Sequence, residues 1–220
     1  MIDLLLEQLE WLSGQEDDRV SVLAPFLGRS LLDLATTALI GRFDPIRVLF
    51  IRRVQAHPDY TTSQAWKASI RWQGDVLAEK EKDLWGQNVE YKKVTRALLG
   101  DYYDELIWRP AVLRLASLAP RGDRWLAELA GIQAESFVAR KRDDISRQYS
   151  SLSKGIHHEF VMPPGAVYDR ATLSDLVRGT IHSIADLALV SQFVPHAEFL
   201  LSPSEAVEVF NRIEQLEVMP

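Results

Sequence analysis

Asp143-Asp144-Ile145-Ser146-Arg147-Gln148-Tyr149-Ser150-Ser151-Leu152-Ser153-Lys154-Gly155-Ile156-His157-His158 carries its apolar residues at helical intervals. Ile145, Tyr149, Leu152 and Ile156 recur at i, i+4, i+7 and i+11, one stripe of an α-helix, where a strand would alternate every second residue. Arg147, Ser150, Lys154 and His157 share another side of the same helix. Upstream, Trp125, Leu129, Ile132 and Phe137 or Val138 carry a stripe from Asp123 into the charged run Arg140 to Asp144. Downstream, Met162-Pro163-Pro164-Gly165 removes backbone donors and frees φ, which predicts an exposed loop over Met162 to Arg170. Thr172 and Asp175 have capping-box spacing and predict a helix to about Ser191; Ser202, Pro203 and Glu205 repeat the device for the last helix.

The N-terminal half follows the same period. Ile2, Leu5, Leu9 and Leu12 predict a helix over 2–13, with Gly14 as a left-handed stop. Leu27, Leu31, Leu34, Ala35 and Ala38 predict one from Phe26 to Ile40, closed by Gly41. Asp44 as N-cap, Pro45 at the first helical position and His57-Pro58 as the stop predict a helix over 45–56. Shorter helices are expected over Ser63 to Trp72, Asp75 to Trp85, Asn88 to Leu99 and Pro110 to Pro120, punctuated by glycines 74, 86 and 100. Strand-period runs such as Glu198 to Leu201 are too short to demand a sheet. The expected fold class is therefore all-α: a multi-helix bundle over 1–220, whose one possible subdivision into two packed helical subdomains falls near residue 120.

With 220 residues, 47% of them hydrophobic, the chain can build a sizeable core without staples, and its lack of cysteine excludes disulfides, thiolate metal sites and a cysteine nucleophile. A net charge of -6 argues against non-specific DNA binding, which needs a broad cationic surface. Met1-Ile2-Asp3 lacks a basic signal-peptide start, and the apolar runs fall short of the roughly 20 residues of a membrane span. A cytoplasmic protein with no membrane partner is the expectation.

Candidate chemistry gathers in the 150–160 segment. Lys154 and His157 lie close enough to act on one anion, with Arg147, Ser150, His158 and Glu159 as the surrounding binding residues. Neighbours on a helix point about 100° apart, so His157-His158-Glu159 cannot converge on one ion, and neither a metal nor a cofactor is expected. Arg178, His182 and Asp186, at i, i+4 and i+8, read as the solvated stripe of their helix. Arg29 and Asp33 form a pair that could lie in the core or at the surface.

Leu152-Ser153-Lys154-Gly155-Ile156-His157, at a helix end in an otherwise helical chain, resembles the helical HEPN proteins of bacterial toxin and phage-defence systems. Active members are metal-independent ribonucleases with an Arg, four to six residues, then His. This chain departs from that pattern: Ser150, Ser151 and Leu152 stand where the Arg before His157 belongs, and Arg147 is about 15 Å up the helix. Arg52 and His57 satisfy the spacing, as one pair in a chain of this composition would by chance. The resemblance implies a helical accessory or interaction subunit of a defence-type complex, with an ATPase or nuclease of the same operon as partner. The alternative it implies is an endoribonuclease acting on RNA, with His157 as general base and Lys154 steadying the phosphate.

Overall fold

The computed structural model describes residues 1–79, 95–118, 122–156 and 168–216. Of these, 76% are helical and none forms a strand, which bears out the all-α reading. The α-helices are α1 (Ile2–Ser13), α2 (Asp17–Phe43), α3 (Pro45–Gln55), α4 (Asp101–Tyr103), α5 (Arg109–Ser117), α6 (Arg124–Ala130), α7 (Ala134–Ile156), α8 (Arg170–Ser191) and α9 (Pro203–Glu214). A 3-10 turn covers Thr62–Lys67, and π-helical turns cover Trp72–Val76 and Asp104–Trp108.

Helix α2 is the axis of the bundle, packed by α1, α7 and α8. It buries Val20, Ala24, Leu31, Leu32, Leu39 and Ile40 among the side chains of those neighbours. One apolar cluster runs from Leu9 to Phe210 and draws on residues either side of position 120. Its large members, Trp108, Phe137 and Phe210, each contribute about 1.5–3 kcal/mol by leaving water. Close packing of α2 on α7 depends on two glycines. A Cβ on Gly28 would sit 3.0 Å from Leu152 Cδ2, and one on Gly155 would sit 2.6 Å from Pro25 Cγ.

The structure extends and corrects several expected elements. Helix α2 starts at Asp17, well before Phe26, and continues through Pro25 to Phe43; a proline forfeits one backbone bond, and the burial of Val20 and Ala24 on that turn offsets the loss. At 27 residues, with a mean hydropathy of 1.3 over its most apolar 18-residue window, α2 has the length and composition to cross a membrane, and half of that window is buried in this fold. The expectation that the apolar runs fall short of a span therefore does not hold for α2. Gly14 has φ -87°, so α1 ends without a left-handed residue. The helix expected from Asp75 does not form over the described residues: Gly74 adopts φ 94°, a π turn spans Trp72–Val76, and Leu77 is extended. Leu98 N and Leu99 N donate instead to the carbonyls of Asp75 and Val76, at 2.8 and 2.9 Å, so this segment is tied by non-local bonds. The stripe from Asp123 is interrupted at Gly131 into α6 and α7. Helix α8 is capped by Asp169, whose side chain accepts from Thr172 N at 2.7 Å, three residues before the expected box. The Ser202–Glu205 capping box forms as expected. Most of the Met162 to Arg170 loop, like most of the Asp75 to Trp85 and Asn88 to Leu99 segments, lies outside the described residues.

Candidate functional site

On α7, Ile145 and Leu152 are buried and Tyr149 and Ile156 half-buried, while Arg147, Ser150 and Lys154 are exposed, so the two faces read from the sequence are the two faces of the helix. Arg147 pairs with Asp144 one turn back. His157, His158 and Glu159 lie outside the described residues. Among the described residues no group of three His, Asp or Glu side chains is placed to hold a metal ion.

Helix α3 carries a second constellation. Asp44 caps it, accepting from Arg47 N at 3.1 Å and from Arg47 Nε at 2.9 Å. Arg47 then reaches inward, donating to the Arg96 carbonyl at 2.8 Å and Tyr103 Oη at 3.2 Å and pairing with Asp75 at 3.4 Å. Asp75 is itself a buried node. It accepts from Arg71 N at 2.9 Å and pairs with Arg96 Nε at 3.0 Å. Burial raises the Tyr103 phenol above its ordinary pKa, with the Arg47 guanidinium opposing. Charged donors around a carboxylate make strong, directional bonds, so Arg47 ties α3 to the body, beside Val48 on the apolar core and Gln55 Nε2 donating to the Ala68 carbonyl at 2.6 Å.

The consequence is an outward apolar face. None of the residues of α3 is buried. Ile46, Leu49 and Phe50 are 77%, 60% and 68% exposed, and with Arg53 they occupy i, i+3, i+4 and i+7. Arg52 and Arg53 are exposed beside this stripe. Arg53 also lines a pocket of about 340 Å³ at the C-terminal end of α3, together with Val54, His57, Asp59, Tyr60 and Ala68. In it His57 Nδ1 lies 3.6 Å from Asp59 Oδ2. The sequence showed α3 as a helix without showing this face, because Val48, Ile51 and Val54 form a competing apolar stripe on the other side.

Helices α7 and α8 hold a further charged cluster, where the solvated-stripe reading fails. Arg178 is exposed, but Asp186, two turns on, is 1% exposed and pairs with Lys141, itself 5% exposed. His182 Nε2 lies 3.6 Å from Asp186 Oδ1, and its ring stacks on Trp125 with centroids 4.3 Å apart. Burial raises the Asp186 carboxyl, against the attraction of Lys141 and His182, and burial lowers His182. The period of α8 was legible, whereas the depth of its C-terminal half depends on α2 and α7 covering it. Lys141 and Asp186 are closed to a substrate and act as a structural pair. Arg29 and Asp33 form a half-exposed pair at 3.8 Å, with the Arg29 guanidinium 4.4 Å above the Tyr149 ring.

No family model, no curated protein and no solved structure matches the chain.

Proposed function

We propose that the chain is an interaction subunit that docks a protein partner through α3, and that the partner is an ATPase or nuclease encoded beside it. The carrying observation is the exposed stripe Ile46, Leu49, Phe50 and Arg53, held outward by the Arg47 anchor. Contiguous exposed apolar side chains cost solubility and mark contact surfaces, and aromatic and Arg residues are the usual anchors of such contacts. Arg52 and Arg53 make this helix a basic island on a chain of net charge -6, which suits an apolar groove with an acidic rim. The pocket beside Arg53 would take one projecting side chain of the partner. Co-expression with each neighbouring gene product, followed by size-exclusion chromatography and titration, tests the reading. Phe50→Asp should weaken the complex by more than tenfold without lowering the melting temperature; a complex of unchanged affinity removes α3 as the contact.

The ribonuclease alternative draws support from the pocket that Arg53, His57 and Asp59 line together. Purified protein incubated with RNA and EDTA decides this reading. Cleavage lost in His57→Ala assigns the pocket, cleavage lost in His157→Ala assigns the α7 end, and no cleavage by the wild type ends it.

A further inference from the structure

Helices α2 and α8 pack against each other across a space that their side chains do not fill. Ala35 and Ala38 on α2, and Ala185 and Ala188 on α8, stand three residues apart, so each pair shares one face of its helix. Both pairs line a cavity of about 260 Å³, which α1 and α9 border as well. Its described lining includes no residue of α3, so it is separate from the exposed stripe of that helix.

The wall is hydrocarbon. Among the described lining residues all but Arg42 are Ile, Leu or Ala. Arg42 is half-buried, and its Nε and Nη2 are shut off from any probe, so that edge of the guanidinium does not face the cavity and Arg42 contributes its methylene stem. The main-chain groups of α2 and α8 along the wall are spent on intrahelical bonds. A ligand therefore meets an almost wholly apolar surface, and each donor or acceptor carried inside stays unpaired at a cost of about tenfold in affinity. That excludes carboxylates, sugars, nucleotides and a peptide main chain. A protein face is excluded by size: of the described lining residues Ala38 alone is exposed, whereas a stable protein interface takes roughly 20–30 residues a side.

We propose that this cavity binds an uncharged hydrocarbon ligand of small size, with any hydroxyl it carries left at the mouth beside Ala38. An apolar cavity of ~150 Å³ stays dry and accepts benzene, so this one accommodates roughly ten carbon atoms. An empty apolar space leaves its walls without contacts on one side, and a hydrocarbon supplies those contacts without bringing polar groups that need partners.

Isothermal titration calorimetry of the full chain with 1-octanol, 1-hexanol and octanoate tests the assignment. The uncharged 1-octanol should bind saturably, and 1-hexanol about 15-fold more weakly at about fourfold per methylene. Octanoate, whose charge finds no partner in the wall, should bind at least tenfold more weakly than 1-octanol. Ala35→Leu, which fills the space from its buried side, should weaken 1-octanol by at least tenfold. Should that variant fail to fold by circular dichroism, Ala38→Leu at the exposed mouth decides. Absence of saturable 1-octanol binding up to its solubility, an octanoate affinity equal to that of 1-octanol, or a folded Ala35→Leu or Ala38→Leu that binds 1-octanol like the wild type would each overturn the proposal. So would a dimer in analytical ultracentrifugation that Ala38→Leu dissociates, since the cavity would then belong to a second copy of the chain.

Discussion

Lys141→Met isolates the buried ion pair of α7 and α8. Methionine keeps the length and apolar stem of lysine and removes only the charge, so packing around residue 141 changes little. Asp186 then remains 1% exposed with its only full cation gone. Breaking one side of a buried pair costs about 3–5 kcal/mol, which for a chain of this size lowers the melting temperature by about 6–20 °C. The sign of the pH dependence follows from the two shifts. Asp186 is raised in the folded state, so its contribution is most favourable below the unfolded carboxylate value near 4 and is lost as pH rises through the folded value. Without Lys141 the carboxyl rises further, and more of that loss falls at neutral and alkaline pH. His182 is lowered, so its contribution is present above about 6.5 and declines as pH falls, and Lys141 is one of the charges that lower it. Removing Lys141 therefore eases the acid side and burdens the alkaline side. Urea unfolding followed by circular dichroism should show a deficit several-fold larger at about pH 8 than at about pH 5. The double variant Lys141→Met, Asp186→Leu should return to within about 1 kcal/mol of the wild type, because no charge is left to desolvate. A deficit below about 1 kcal/mol at pH 8, or one equal at both pH values, would refute the reasoning.

Gly155→Ala should lower stability by about 1–3 kcal/mol in thermal melts, since its Cβ would meet the Pro25 ring at 2.6 and 2.7 Å and a proline on α2 cannot swing aside. Gly41→Ala, whose Cβ meets only Val48 Cγ2 at an ordinary 3.6 Å, should instead stabilise by about 0.5–1 kcal/mol through helix propensity. Arg47→Gln should release α3: amide exchange over 45–55 should accelerate by at least tenfold while α8 stays protected, and equal protection in the variant would show that Val48, Ile51 and Val54 suffice to hold the helix.

The sequence by itself determined the helical class, the caps at Asp44 and Ser202, and the two faces of α7, because each is a local property: an intrahelical bond or a spacing read along one helix. It misplaced the Asp75 segment, where Asp75 draws Arg47 and Arg96 from distant positions to join Arg71, four residues back, in one node, and the backbone follows that node rather than its own propensity. It also left open which side of α3 meets solvent and how deep Asp186 lies. A helical period gives angles around an axis, while burial depends on what packs there from elsewhere in the chain. Only the tertiary structure, by laying α2 and α7 over the C-terminal half of α8 and tethering α3 through Arg47, made Asp186 interior and Ile46, Leu49 and Phe50 exterior.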